Sequence, residues 1–291
     1  MMRNDRGRLS MGRGAHDKES GGSRKGGGLS KLLLVTGILL CVVACAILGG
    51  KMHDYWAGDR LYDDVSDRVR LDDRFELDAD WVSLREENPD LVAWVQIPDT
   101  NIDYPVVQGS DNEYYLYHAF DGSSLAVGCP FLDYENQRDL SDNNNFIYGH
   151  NMRNGSMFHD LASFTDQGFF DEHPYAYIAT ERDGTRRYRI VGVFLAGGDE
   201  KVKQVQFMDR DDYGAYVRGL FDRCEVTVPD IAPGDITRTV ILSTCSYQFN
   251  DARTMLICVE VDESGLPVVY PMSAHSLTPR TVVAGDPPAG Q

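Results

Sequence analysis

Apolar residues follow three different patterns along the 291-residue chain, and these patterns divide it into segments. Residues 32–48 form an almost unbroken apolar run. Residues 54–88 place apolar side chains at helical spacing among Asp and Arg, which predicts a helical stalk and then a helix that caps the next domain. From residue 91 onward, short alternating or β-branched runs are separated by Gly, Asn, Asp and Pro, a pattern typical of strands and turns.

The runs after residue 91 predict a mainly β domain. Strands are expected at residues 91–97, 102–107, 129–132, 145–148, 175–179, 188–194, 240–245 and 254–261. Short helices are expected at 112–116 and 157–164, and the clearest later helix covers 209–221, where apolar residues share one side. Many short strands with few helices indicate a mostly antiparallel barrel.

The charge is unevenly distributed. The chain has a formal net charge of −17, but residues 1–31 carry eight Lys or Arg and only three acids, a net +5, so the rest carries −22. The first segment is rich in Gly and Ser and poor in apolar residues, and we expect it to be disordered. A strongly acidic domain repels phosphates, so nucleic acid is not an expected partner.

The apolar run has the length of a membrane span. Nineteen uncharged residues lie between Lys31 and Lys51, and about twenty residues cross a bilayer core. The basic flank on its N-terminal side predicts a cytoplasmic N-terminus and an extracellular domain. Two alternatives to an uncleaved anchor stay open: a lipoprotein cleavage box at residues 42–45 and a signal cleavage site at 44–46.

These observations predict the following organisation, with a single-pass protein in the cell membrane. The expected segments are a disordered basic cytoplasmic tail at 1–31, a transmembrane anchor at 32–50, a juxtamembrane helical stalk at 51–76, an extracellular domain at 77–270 and a flexible tail at 271–291, which contains four prolines.

One cysteine stands at the end of a strand. The run 239–245 is rich in β-branched residues and delivers Cys245 to a polar loop, after which a second strand begins near Arg253. We expect Cys245 to be a nucleophile. The six cysteines show neither close pairs nor histidines at zinc-finger spacing, so no metal or cofactor is expected. A disulfide among Cys129, Cys224 and Cys258 stays an alternative to free thiols.

A cysteine nucleophile needs a partner that stabilises its thiolate and an electrostatic partner for the oxyanion. Of the seven histidines, His118, His150, His159 and His173 lie in the predicted domain away from its ends. His150 follows the apolar run 146–148 and Gly149, so it also stands at a strand end, although a structural histidine is an alternative. If strands 240–245 and 254–261 pair antiparallel, Arg253 returns beside Cys245; the alternative is an exposed arginine.

Several stretches together resemble a class B sortase over about residues 77–262. They are Asn-Pro-Asp-Leu-Val-Ala-Trp-Val-Gln-Ile-Pro at 88–98, Asp-Asn-Glu-Tyr-Tyr-Leu at 111–116, Asn-Phe-Ile-Tyr-Gly-His-Asn-Met at 145–152, Gly-Ser-Met-Phe at 155–158 and Leu-Ser-Thr-Cys at 242–245 followed by Arg253. Ala93 and the pair Cys129-Pro130 depart from the pattern of the class, away from the predicted chemistry. The histidine also precedes the cysteine, as the resemblance requires.

The resemblance implies an eight-stranded sortase-type β-barrel with N-terminal helices and an extra helix before the cysteine strand. It also implies a cysteine transpeptidase, grouped with the thiol peptidases, that anchors surface proteins in Gram-positive bacteria. Cys245 would attack the Thr carbonyl of a sorting signal similar to Asn-Pro-x-Thr-x, with His150 as acid and base and Arg253 at the oxyanion. An amine of a peptidoglycan cross-bridge or a pilin would resolve the thioacyl intermediate, and no cofactor is implied.

The resemblance also implies a set of substrate contacts. They are Asn112, Leu116, Tyr148, Ser243 and Thr244. Leu116 and Tyr148 are equally compatible with a core role, and the other strand residues with an ordinary sheet. Two other functions are considered: a hydrolytic cysteine peptidase of the envelope and a non-enzymatic surface protein. The order of His and Cys argues against a papain-like peptidase, and residues 271–291 lack the sorting signal of a surface protein.

Overall fold

The computed structural model describes residues 27–72, 74–197, 200–245 and 252–278, and the chain forms two compact units, residues 1–50 and 51–291. The first unit contains the start of helix α1 (Gly27–Ser66), whose side chains from residue 32 to residue 50 are exposed. Among the described residues, this is the helix whose length and composition would allow it to cross a membrane, a test that a signal sequence also passes. Residues 1–26 of the expected basic tail lie outside the described residues.

Within the second unit, the predicted helical stretch 54–88 is interrupted by two short strands. Helix α1 ends at Ser66, and β1 (Val69–Leu71) and β2 (Leu77–Ala79) then pair as a small antiparallel sheet. Helix α2 (Trp81–Glu87) follows, and the Asp80 side chain caps it by accepting a hydrogen bond from the Ser83 amide. The stalk is therefore helical only as far as Ser66, and the chain after it forms short paired strands.

Eight strands close into a barrel, as predicted. The ring runs β11–β10–β6–β5–β4–β3–β7–β8 and closes through the pairing of β8 with β11, while β9 extends the sheet beside β8. The strands are β3 (Leu91–Gln96), β4 (Asp103–Val107), β5 (Phe131–Leu132), β6 (Asn144–Gly149), β7 (Tyr175–Thr180), β8 (Gly184–Ala196), β9 (Val226–Thr227), β10 (Thr239–Cys245) and β11 (Arg253–Glu260). Closure leaves the ring without free edges.

Two pairings in the ring are parallel, and one of them determines the position of the predicted site. Strand β10 runs parallel to β6, and β4 runs parallel to β5; the other pairings of the barrel are antiparallel. In the parallel pair, Thr244 is the Cα partner of Gly149. The carboxyl ends of β6 and β10 therefore lie at the same rim of the barrel.

The core has two apolar clusters, and the central strands contribute to both. Trp94 and Val95 are adjacent in β3, fully buried, and belong to different clusters. Helix α4 (Arg210–Phe221) matches the predicted helix and packs Tyr213 and Val217 into the larger cluster. Burial on both faces explains why β3 reads as an almost continuous apolar run.

Three further helical segments lie between β4 and β7, and a 3-10 turn, Pro233–Asp235, lies between β9 and β10. The expected helices at 112–116 and 157–164 are short 3-10 turns, Tyr114–Leu116 and His159–Thr165. Helix α3 (Gln167–Glu172) was not predicted from the sequence, and its N-terminus is capped by the side chain of Asp166, which accepts from the Phe169 amide.

The C-terminal segment is packed through residue 278. The Ser276 carbonyl accepts a hydrogen bond from the Phe207 amide, and the Thr278 amide donates to the Phe207 carbonyl. His275 Nδ1 lies 2.9 Å from the buried carboxylate of Asp142. These contacts hold residues 271–278, the start of the tail that was predicted to be flexible, against the domain, and residues 279–291 lie outside the described residues.

Candidate active site

A cleft of about 360 Å³ lies at the rim where β6 and β10 end and β11 begins. All of the predicted site residues whose side chains are described line this cleft. Its lining consists of Asn112, Leu116, Phe131, Tyr148, Gly149, His150, Lys203, Ser243, Thr244 and Arg253. Residues that are far apart in sequence thus meet in a single concave surface of the size that binds small ligands and peptide side chains.

The backbone of Cys245 ends β10 at this cleft. Its side chain lies outside the described residues, but the register fixes its Cα as the partner of Arg253 in the antiparallel β11. Thr244, one residue earlier, is the Cα partner of Gly149 in the parallel strand β6. Cys245 directly follows Thr244, and His150 directly follows Gly149. The two residues therefore continue neighbouring parallel strands from the same level.

The imidazole of His150 is held by a backbone carbonyl. Its Nε2 atom lies 2.8 Å from the carbonyl oxygen of Leu116. Because a carbonyl oxygen only accepts hydrogen bonds, Nε2 carries a proton in this contact, and Nδ1 is the ring atom left to exchange a proton. The ring is half-buried, so it is oriented by the protein and still borders the cleft.

Gly149 allows close packing beside His150. A Cβ atom at this position would lie 2.6 Å from two ring atoms of Phe158, which is fully buried. The Phe158 amide in turn donates a 2.8 Å hydrogen bond to the carbonyl of His150. The contact explains why a residue without a side chain precedes the histidine.

Arg253 provides positive charge at the other side of the cleft. It is the first residue of β11, and its side chain is exposed. No carboxylate among the described residues forms an ion pair with it, in contrast to Arg68, Arg85 and Arg186 elsewhere in the domain. The guanidinium is therefore available to a bound anion or carbonyl, with several N–H donors in a planar arrangement.

The strand residues before Cys245 form the buried back of the cleft. Ser243 and Thr244 are each 2% exposed. The hydroxyl Oγ1 of Thr244 has no hydrogen-bond partner among the described residues. A buried hydroxyl without a partner costs free energy, so a ligand carbonyl at this point would gain a donor that the free protein does not use.

One end of the cleft is polar and is organised by a residue that sequence reasoning missed. The carboxylate of Asp133 is fully buried and accepts hydrogen bonds from the Tyr148 hydroxyl (2.9 Å) and the Asn112 side-chain amide (2.9 Å). Burial, and then the charge of Asp133, raise the pKa of Tyr148 well above its ordinary value. Tyr148 therefore remains a neutral hydrogen-bonding hydroxyl.

Lys203 and Phe131 also line the cleft, although neither was predicted as a site residue. The ammonium of Lys203 lies 3.1 Å from Asp133 and 2.7 Å from Glu135. An acid that directly follows the short apolar run Phe131–Leu132 was a usable sequence signal for a strand-end carboxylate. No such signal marked Lys203, because it stands in the connection between β8 and α4, distant in sequence from every other part of the cleft.

The other candidate histidines lie elsewhere in the domain. His118 stacks on Tyr114, His159 Nδ1 lies 2.7 Å from the side-chain oxygen of Asn151, and His173 Nδ1 lies 2.8 Å from the Phe169 carbonyl. None of these three lines the cleft. Cys129, Cys224 and Cys258 are free thiols, so the alternative of a disulfide among them is not realised in this structure.

Comparison with known proteins identifies the class to which this fold and cleft belong. A family model of the sortase domain matches residues 95–261. A sortase B of Listeria monocytogenes is 31% identical over 220 residues, which cover 69% of this chain and 87% of that relative. The family model matches more than half of the chain, and the relative is more than 30% identical over more than two thirds of it. The chain therefore belongs to the sortases, which are transpeptidases.

Solved structures narrow this to one class. A crystal structure of Clostridium perfringens sortase B is 32% identical and superposes with a TM-score of 0.58, covering 62% of this chain and 99% of that one. Sortase B of Bacillus anthracis, solved in complex with AAEK1, superposes with a TM-score of 0.63 at 24% identity, covering 73% and 100%. Within the family, the chain is a class B sortase.

Proposed function

We propose that the protein is a membrane-anchored cysteine transpeptidase that cleaves an Asn-Pro-x-Thr-x sorting signal after Thr and transfers the new acyl group to an amine. The observation that supports this most directly is the shared cleft of His150 and Arg253, at which the strand carrying Cys245 ends. Acyl transfer needs a nucleophile, a proton carrier and an oxyanion partner, and these three residue types supply them.

In the first half-reaction, the thiolate of Cys245 attacks the Thr carbonyl carbon, and the carbonyl oxygen becomes an oxyanion that the Arg253 guanidinium stabilises. The C–N bond then breaks, and protonated His150 gives its Nδ1 proton to the leaving amine. The product is a thioester between Cys245 and the Thr carbonyl. Because Leu116 holds Nε2, the ring can exchange this proton without rotating.

In the second half-reaction, the amine of a peptidoglycan cross-bridge or of a pilin lysine attacks the thioester. Neutral His150 accepts the proton from the attacking nitrogen, the C–S bond breaks, and the thiolate is regenerated. Asn112, Leu116, Tyr148, Ser243 and Thr244 are proposed to bind the peptide, since they line the same cleft.

The apolar part of α1 is proposed as an uncleaved anchor, with the N-terminus in the cytoplasm and the catalytic domain outside a Gram-positive cell. Its supports are the exposed apolar side chains over residues 32–50 and the basic residues that precede them. The intact mass of protein purified from membranes tests this. A mass lacking residues 1–44 with added lipid would replace the anchor with a processed lipoprotein, and a mass lacking residues 1–46 would replace it with a cleaved signal sequence.

Peptide cleavage tests the enzymatic proposal. Wild-type protein should cleave an Asn-Pro-Gln-Thr-Asn peptide, accumulate a thioester on Cys245 and form the amide product when an oligoglycine amine is added. The Cys245→Ala variant should be inactive, and His150→Ala and Arg253→Ala should lose most activity. Normal turnover by Cys245→Ala would reject the assignment, and water as the sole acceptor in excess amine would indicate a hydrolytic peptidase.

The pH dependence provides a second readout of the same proposal. A thiolate nucleophile and an imidazolium acid require one deprotonated and one protonated group, so kcat/KM should be bell-shaped against pH. The His150→Ala variant should lose the bell along with the activity. A flat profile between about pH 5 and pH 10 would contradict a Cys–His pair.

A further inference from the structure

Asp133 is a fully buried carboxylate whose partners line the polar end of the cleft. Its Oδ2 atom accepts from the Tyr148 hydroxyl at 2.9 Å, from Asn112 Nδ2 at 2.9 Å and from Lys203 Nζ at 3.1 Å. Its Oδ1 atom accepts from the Glu135 amide at 2.9 Å. Three donors from three separate segments of the chain therefore converge on a single oxygen.

Within the described part of the chain, Lys203 is the cation that forms an ion pair with this carboxylate. Lys203 contacts both Asp133 and Glu135, and its ammonium also lies over the ring of Tyr134, 5.6 Å from the ring centroid. Burial lowers the pKa of Lys203, but its hydrogen bonds to Glu135 and Asp133 outweigh burial and raise it above 10.5. Lys203 therefore stays charged at neutral pH, and a paired buried carboxylate avoids the large cost of an unpaired one.

The network determines what the cleft presents to a ligand. Asn112 gives one side-chain N–H to Asp133 and accepts from the Tyr134 amide at 3.0 Å, which leaves its second N–H. Lys203 has three N–H donors and two carboxylate partners. This end of the cleft thus offers N–H donors to an acceptor on the ligand. The carboxylate of Asp133, which orients these donors, is itself buried behind the cleft surface.

We propose that Asp133 is a positioning residue for the transpeptidation reaction, which holds Asn112, Tyr148 and Lys203 in the arrangement that binds the sorting peptide. This inference rests on the proposed function. Asp133 does not border the cleft and acts only through the three residues that do. Its loss should therefore weaken peptide binding and leave the chemistry at Cys245 almost unchanged.

The Asp133→Asn variant tests the proposal with almost no change in volume. The new amide group would place a donor where three donors now converge, or would remove the acceptor from the Glu135 amide if it were flipped. We expect KM for the sorting peptide to rise about tenfold and kcat to stay within about twofold. In a Tyr148→Phe background, the same substitution should raise KM by a clearly smaller factor, because the two residues share one interaction.

The matched control is Asp142→Asn. Asp142 is also fully buried and accepts from Asn136 Nδ2 at 3.0 Å and from the Gln137 amide at 2.8 Å, but it does not line the cleft. This control should lower thermal stability without the tenfold rise in KM. If Asp133→Asn does not fold, Lys203→Met, which removes the cation from the cleft surface, takes its place with the same expected rise.

Three results would overturn the positioning role: a fall in kcat at constant KM, additive effects of Asp133→Asn and Tyr148→Phe, or equal changes in KM for the Asp133 and Asp142 variants. A crystal structure of the Asp133→Asn protein should show the Tyr148 hydroxyl and the Lys203 ammonium displaced. If the wild-type protein cleaves no sorting peptide, the proposed function fails, and the crystal structure of the variant then tests the role of Asp133. Unmoved Tyr148 and Lys203 side chains in that structure would reject the positioning role.

Discussion

Arg253 lies directly opposite Cys245 as the last matched pair of strands β10 and β11. On its other side, Arg253 is the Cα partner of Ala196 in β8. Its backbone therefore stands at the point where the barrel closes, held between two neighbouring strands. A residue in this position cannot change its register relative to Cys245 without opening the ring.

Because the backbone of Arg253 is fixed opposite Cys245, we expect activity to depend on the guanidinium group itself and not only on its positive charge. We expect Arg253→Ala to lower kcat/KM by about 100-fold or more, the scale associated with losing one oxyanion donor. Arg253→Lys should recover only part of the loss, because an ammonium cannot reproduce the planar pair of donors. Steady-state cleavage of the sorting peptide measures both variants.

The control for charge alone is Arg182→Ala, which removes an exposed arginine from the turn between β7 and β8. Its activity should match the wild type. Full activity of Arg253→Lys would show that charge without directed hydrogen bonds is sufficient at this position.

The four cysteines of the second unit should differ sharply in reactivity. Burial raises the pKa values of Cys129 and Cys258, both fully enclosed, and raises that of Cys224 to about 12. The thiolate is the reactive form, so these three should be inert near neutral pH. Iodoacetamide at about pH 7.5 should modify Cys245 selectively, and peptide mass mapping measures the extent at each position.

Two controls accompany the labelling. In urea all four thiols should react, and the Cys245→Ala protein should show no early labelling among residues 51–291. Labelling of Cys224 at the rate of Cys245 in the folded protein would contradict the expected difference.

The buried thiols also predict how stability depends on alkaline pH. The folded-state pKa of Cys224 is about 12, above its ordinary value of 9.0. Between these values the folded protein binds more protons than the unfolded chain, so the free energy of unfolding decreases as pH rises through this window. Cys224→Ala removes this group, and its stability should decrease less steeply above about pH 9.

Urea unfolding of both proteins between about pH 7 and pH 11 measures this difference. The two curves should run parallel below about pH 9, where the thiol is protonated in both states. Curves that stay parallel at every pH would show that Cys224 ionises as readily in the folded domain as in the unfolded chain.

The contact between Gly149 and Phe158 predicts a large effect from a single methyl group. In Gly149→Ala the new Cβ would lie 2.6 Å from the Phe158 ring, so the ring or the strand end must move. We expect a loss of about 1–3 kcal/mol in the free energy of unfolding, typical of overpacking, together with lower activity because His150 is adjacent.

Gly219→Ala is the matched control, since a Cβ atom there meets nothing within 4 Å on the exposed side of α4. It should stabilise the protein by about 0.5–1 kcal/mol, as helix propensity predicts. Equal destabilisation by both alanines in urea unfolding would contradict the packing explanation.

Much of the barrel could be predicted because its strands have clear local signals. The predicted strands at 91–97 and 240–245 differ from β3 and β10 by at most one residue at each end. They could be recognised because a strand that is buried on both faces is almost continuously apolar. The hairpin of β1 and β2 was missed because its strands have three residues each, too few to show a period. The helix predicted over 209–221 corresponds to α4 because one apolar side and an Asp209 cap both mark it.

The cleft was predictable only where a residue type implied its own chemistry. A cysteine, a histidine at a strand end and a returning arginine have recognisable roles, and the structure brings the described members of this set together. Lys203 carried no such indication, and Asp133 carried only its position after a short strand, because the importance of both comes from a contact between segments seventy residues apart. Local sequence patterns contain no information on which distant charges meet.

The ladder between β10 and β11, and not the segment that joins them, determines which residue faces Cys245. The connection at residues 246–251 can therefore be exchanged for one of another length while the register of Cys245 against Arg253 is retained, since each lengthening of a loop adds little closure entropy. Such exchange gives a route to libraries of connection variants in which Cys245 and Arg253 stay paired across the two strands.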